Sequence, residues 1–138
     1  MLTCLAFAAA LTAQTPVSGP AYLPDLAHEV LTDAQALNAR TVVDAEFTAA
    51  LEDFSTDAMA LSDALRAAGV TQDMPCIFRG ISEDARARLA DFGAAQTDAH
   101  RTEALTALHV LLDDAILLAP MAEAEARRAQ EATAAPAN

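Results

Sequence analysis

A single heptad rhythm runs from Leu26 to Ala68, with neither Gly nor Pro to interrupt it. Steps of four and three residues alternate through Leu26, Val30, Leu37, Phe47, Leu51, Phe54, Ala58, Leu61, Leu65 and Ala68. A 3.5-residue period places those side chains on one helical stripe that another helix must cover, as in a left-handed supercoiled seam. Three positions of the register are polar: Asp33, Arg40 and Asp44. Arg40 and Asp44 stand four apart and can share one ion-paired layer, which loosens a seam or fixes its register. The preferred reading is one helix of about 43 residues, on the order of 65 Å long, with a kink allowed. The alternative is a break between Asn38 and Val43, where Thr41-Val42-Val43 is a β-branched run and Asp44 would cap a second helix.

Composition points the same way. Ala supplies 36 of the 138 residues, whereas Leu, Ile, Val, Phe and Met together supply 35. Ala is the best helix former and buries little area, so helices must approach closely over a thin core. Strand-favouring residues are scarce, with one Tyr, no Trp and three Ile. The expected fold is all-α and single-domain: an elongated antiparallel helical hairpin or three-helix bundle built around the long helix.

Gly69, followed by Val70, reads as a left-handed helix end. An apolar-centred connection, Thr71 to Ile81, then leads to Ser82 as the next N-cap, with Glu83 and Asp84 in the first turn. That helix carries Leu89 and Phe92 and ends near Gly93. Thr97 or Asp98 caps a further helix expected to stop at Ala119, before Pro120. Its main apolar face holds Leu105, Leu108, Leu111, Leu112, Ala115, Ile116 and Leu118. Val110 and Leu117 lie one heptad apart on the opposite side, a candidate contact stripe, because a helix apolar on two sides is central in its bundle or touches another molecule.

Residues Leu2 to Leu11 form an uncharged apolar run followed by small residues, which resembles a secretory signal over residues 1–13. No Lys or Arg precedes the run, and about ten residues are too few to span a bilayer. A Pro-containing tether over 14–24, a helical domain over 25–119 and a charged Ala-rich tail over 120–138, partly helical and then disordered, complete the expected organisation. The expected location is periplasmic or secreted, or cytoplasmic if the apolar run is no signal. Eight Arg, no Lys and twenty acids give a net charge of −12. That balance argues against nucleic acid and anionic membranes as partners, and no stable membrane span is expected in the mature chain.

Candidate chemistry is sparse. Cys76 is the only thiol left once a signal carrying Cys4 is removed. Arg79 three residues on and the helix start expected at Ser82 would both favour a thiolate. The competing reading of Cys76 is a small buried hydrophobe within Cys-Ile-Phe; a retained N-terminus would also permit a Cys4–Cys76 bridge. His28, with Asp25, and His109, with Asp113, have helical ligand spacing. Paired Glu-x-x-His motifs of dimetal bundles are absent, however, and boundary histidines explain these and His100. The adjacent acids Glu52-Asp53, Glu83-Asp84 and Asp113-Asp114 diverge by about 100° around a helix and form no catalytic dyad. No phosphate loop, nucleophile elbow, zinc spacing or haem-attachment motif appears. No cofactor and no metal are expected. The sequence therefore favours an exported, non-enzymatic helical protein that works by helix-mediated contact with itself or a protein partner. The alternative is a redox or small-ligand role centred on Cys76.

Overall fold

The computed structural model describes residues 22–70 and 73–135. Within them the chain forms four helices: α1 (Tyr22–Asn38), α2 (Ala45–Ala67), α3 (Asp73–Ala94) and α4 (Asp98–Ala134). The fold is all-α. Helix α1 packs on α2 and α4, and α3 packs on α2 and α4, so the four helices form a ring around one core. Successive helices run antiparallel. Ser62 meets Pro75 and Ser55 meets Ser82 between α2 and α3, while Asn38 meets Asp113 between α1 and α4.

The stripe read from sequence is the core except at its last position: Leu26, Val30, Leu37, Phe47, Leu51, Phe54, Ala58, Leu61 and Leu65 are all buried, whereas Ala68, which caps the end of α2, is exposed. It is carried by two helices rather than one. Residues 39–44 leave the helical path, and Asp44 caps α2 by accepting a 2.8 Å hydrogen bond from the Phe47 N–H. Arg40 does pair with Asp44, at 3.0 Å, but across the connection instead of within a helical layer. Its guanidinium also lies 5.7 Å from the Phe47 ring centroid, a cation–π contact that fixes the chain's entry into α2. At the other end of α2 the left-handed cap forms as read. Gly69 has φ +75°, and the Val70 and Gly69 N–H groups donate to the Leu65 and Arg66 carbonyls in the paired pattern of a Schellman ending.

Two other boundaries differ from the sequence reading. Helix α3 begins at Asp73, so most of the expected connection is helical and Ser82 lies inside the helix. Pro75 is tolerated because its missing N–H falls in the first turn, where no intrahelical acceptor exists. Ser82 is buried against α2 and donates to the Ser55 carbonyl at 2.6 Å; Ser62 donates likewise to the Pro75 carbonyl at 2.6 Å. These small, satisfied hydroxyls let α2 and α3 approach closely at no unpaired-donor cost. Helix α4 starts where expected, with Thr97 Oγ1 accepting from the His100 N–H, but it continues through Pro120 to Ala134. Pro120 forfeits the hydrogen bond to Ile116, a loss of about 3 kcal/mol in a helix interior. Burial of Ala122 and Ala126 beyond it holds the continuation in place. The expected tether begins its helix at Tyr22, within α1; its earlier part and the expected signal over 1–13 lie outside the described residues, as does Cys4.

Replacing Asp44 with Ala removes the cap that separates α1 from α2. The variant is expected to unfold about 1 kcal/mol more easily than the parent, read as a lower denaturant midpoint at unchanged slope.

Candidate functional site

The residues singled out in the sequence do not converge. Cys76 sits in the first turns of α3 between the buried Pro75 and Phe78, and it points outward as an exposed free thiol. The reading of Cys76 as a buried plug is therefore corrected: the helix that starts at Asp73 turns it away from the core. Arg79, expected to polarise the sulfur, reaches across to Asp63 on α2 at 3.8 Å.

Each histidine has its own surroundings. His28 is exposed on α1, and His100 lies in the first turn of α4. His109 Nε2 stands 3.2 Å from the Arg40 carbonyl, a hydrogen bond that requires the proton on Nε2. Its expected partner Asp113 instead accepts from Asn38 Nδ2 at 2.8 Å. His109 and Asp113 thus anchor α4 to the end of α1 and the connection after it. Among the described residues no group of three or more His, Cys, Asp or Glu side chains is arranged to hold a metal.

Two features stand out where the helices meet solvent. The first is an acidic groove of about 470 Å³ between α1 and α2, lined by Glu29 and Asp33 from one helix and Asp53 and Asp57 from the other, with Arg40 on its wall. Burial, then the charges of Glu29, Asp33 and Asp53, push the Asp57 carboxyl up to about 6. Burial, then Glu29 and Asp53, raise Asp33 as well. Sequence reasoning found Asp33 but not Asp57, although the i,i+4 acid pairs Glu29–Asp33 and Asp53–Asp57 were a signal for like-charged faces.

The second feature is the outer face of α4. Val110 is 61 % exposed, Leu117 69 % and Met121 52 %, so the candidate stripe is open to solvent and one residue longer than the sequence reading gave. Helical geometry explains it. These residues lie opposite Ala115, Ala119 and Ala122, which face the core. An 18-residue window of α4 has a mean hydropathy of 1.6 with 28 % of it buried, so by length and composition this helix is apolar enough to cross a membrane. A further groove of about 690 Å³ lies where α1 begins and α2 and α4 end, walled by Leu23, Ala60, Ala64, Ala67 and Ala129. Gln130 also borders it, and its buried Nε2 has no hydrogen-bond partner among the described residues.

The chain matches no protein-family model, no curated protein and no solved structure.

The acidic groove fixes the sign of a pH effect. Folded Asp57 binds its proton more tightly than the unfolded chain does, so its stabilising contribution is complete below the ordinary carboxylate range and is lost as pH rises through about 6. Asp57→Asn is expected to gain stability relative to the parent between pH 5 and 7, with a Tm about 2–4 °C higher at pH 7. Thermal unfolding of both proteins across that range checks it; a constant difference would contradict the raised carboxyl.

Proposed function

We propose that the protein is an exported, non-enzymatic helical module that acts through protein–protein contact made by the outer face of α4. The observation that carries this reading is the exposure of Val110, Leu117 and Met121 along one side of a single helix. Aligned apolar side chains left in water, rimmed by charge, are the usual mark of a contact surface. Their exposure does not serve the fold, since α4 holds its place in the bundle through its opposite, alanine-rich side.

A membrane-spanning role for α4 is disfavoured by Asp113 and Asp114 among its apolar residues. Placing a carboxylate at a bilayer centre costs several kcal/mol. Export rests on the apolar run Leu2 to Leu11 and the small residues that follow it. A thiol-centred role for Cys76 is the second reading, favoured by the exposure of its sulfur; the engagement of Arg79 with Asp63 weakens it.

A photoactivatable cross-linking residue placed at position 117 in living cells tests the contact directly. A protein adduct is expected at 117 and none at the exposed control position Glu83 on α3. No adduct at 117 would contradict the reading.

A further inference from the structure

The outer face of α4 has polarity along its length. Its apolar centre, Val110, Leu117 and Met121, is flanked by Ala107 on one side and Ala124 on the other. One turn beyond Ala107 stands Glu103, and one turn beyond Ala124 stands Arg128. From Glu103 to Arg128 the face covers about 38 Å of helix. Glu103 is exposed and has no ion-pair partner among the described residues, and Arg128 is two-thirds exposed despite its contact with Glu125. One end of the face therefore presents a carboxylate and the other a guanidinium, and the middle is apolar except for the exposed Asp114 between Val110 and Leu117.

We propose that this face pairs with the same face of a second copy, the two α4 helices running antiparallel about a two-fold axis between residues 114 and 117. The inference rests on the contact role of α4 proposed above and names the partner. In this register Val110 meets Met121 of the second copy, Ala107 meets Ala124, Glu103 meets Arg128 and Leu117 meets Asp114, each pairing occurring twice by symmetry. A parallel arrangement would instead set Glu103 against Glu103 and Arg128 against Arg128, which like-charge repulsion disfavours. Small Ala side chains on both sides of the apolar centre let the helices approach closely enough for the larger residues to interlock.

Charge decides how strongly the copies hold. Each carries a net charge of −12, which opposes association at long range. At physiological ionic strength a Debye length of about 8 Å screens that repulsion more than it does the contact pairs. Asp114 lies beside the axis and adds a local like-charge cost. The interface is also narrow, so the dimer belongs to the weak, reversible class.

Sedimentation equilibrium on the full chain carrying Cys4→Ser and Cys76→Ser, to exclude disulfide dimers, reads the association. A monomer–dimer equilibrium is expected as concentration rises from the micromolar to the millimolar range. Leu117→Glu is expected to abolish it while leaving the thermal midpoint unchanged. Glu103→Arg and Arg128→Glu should each weaken the dimer about tenfold, and the double reversal should restore it. Monomer at every concentration, a dimer that survives Leu117→Glu, or a double reversal no better than the single variants would each overturn the proposal. Should the chain stay monomeric while position 117 cross-links to a different protein in cells, self-pairing falls and the contact role of α4 stands. If position 117 cross-links to nothing, both fall.

Discussion

Seven residues of α4 are buried, and five of them are alanines: Ala104, Ala115, Ala119, Ala122 and Ala126. That alanine face sets the geometry of the bundle. Helix α1 runs antiparallel to it with Asn38 beside Asp113 and Tyr22 near Gln130. Leu26, Val30 and Leu37 of α1 therefore fall near the levels of Ala126, Ala122 and Ala115. Large side chains on the short helix fill the space left by small ones on the long helix, and Cα atoms of the two helices come within 8 Å. Each Ala contributes little apolar area, so cohesion comes from close contact along the length of the interface rather than from bulky residues. The same economy appears between α2 and α3, where Ser55, Ser62 and Ser82 are buried and Ser62 and Ser82 donate across the interface to carbonyls.

A helix that docks through alanines has its larger apolar residues free for other use. In α4, Leu108 and Leu112 join the core, whereas Val110, Leu117 and Met121 face water on the opposite side. The continuation past Pro120 belongs to the same logic. Without it α1 would lose Ala122 and Ala126 as partners for its first half, and Met121 would have no place on the outer stripe. Fold and the proposed contact surface are thus two sides of one helix, so substitutions on the outer face are expected to change association without changing stability.

Much of this was legible in the sequence. The stripe from Leu26 to Ala68 named core residues correctly in its apolar positions up to Leu65, since burial follows periodicity whether one helix or two carry it; Ala68 falls at the exposed end of α2. Gly69 and Thr97 gave their helix ends because a left-handed glycine and a capping hydroxyl are local devices. What escaped were features where one residue type serves two purposes. Ser82 followed by two acids looks like a cap, yet a serine inside a helix can equally donate to a neighbouring helix. Pro120 looks like a stop, yet burial on both sides outweighs the lost hydrogen bond. The 3.5-residue rhythm crosses residues 39–44 by coincidence of spacing, so the break that makes α1 and α2 separate helices was the lesser reading. The acidic groove was hidden for that reason: in one continuous helix Glu29 and Asp57 would stand about 42 Å apart. Cys76 was misplaced because apolar neighbours in sequence suggested burial, whereas the helix carries Pro75 and Phe78 inward and Cys76 outward.

The claim on which all else rests is that α1 and α4 meet too closely, near Ala122, to admit a larger side chain. Equilibrium unfolding of Ala122→Leu tests it through the sign of the effect. A tight contact is overpacked by the three added carbons, and a loss of about 1–3 kcal/mol is predicted. A loose contact would instead gain from the extra buried area, and unchanged or increased stability would contradict the account.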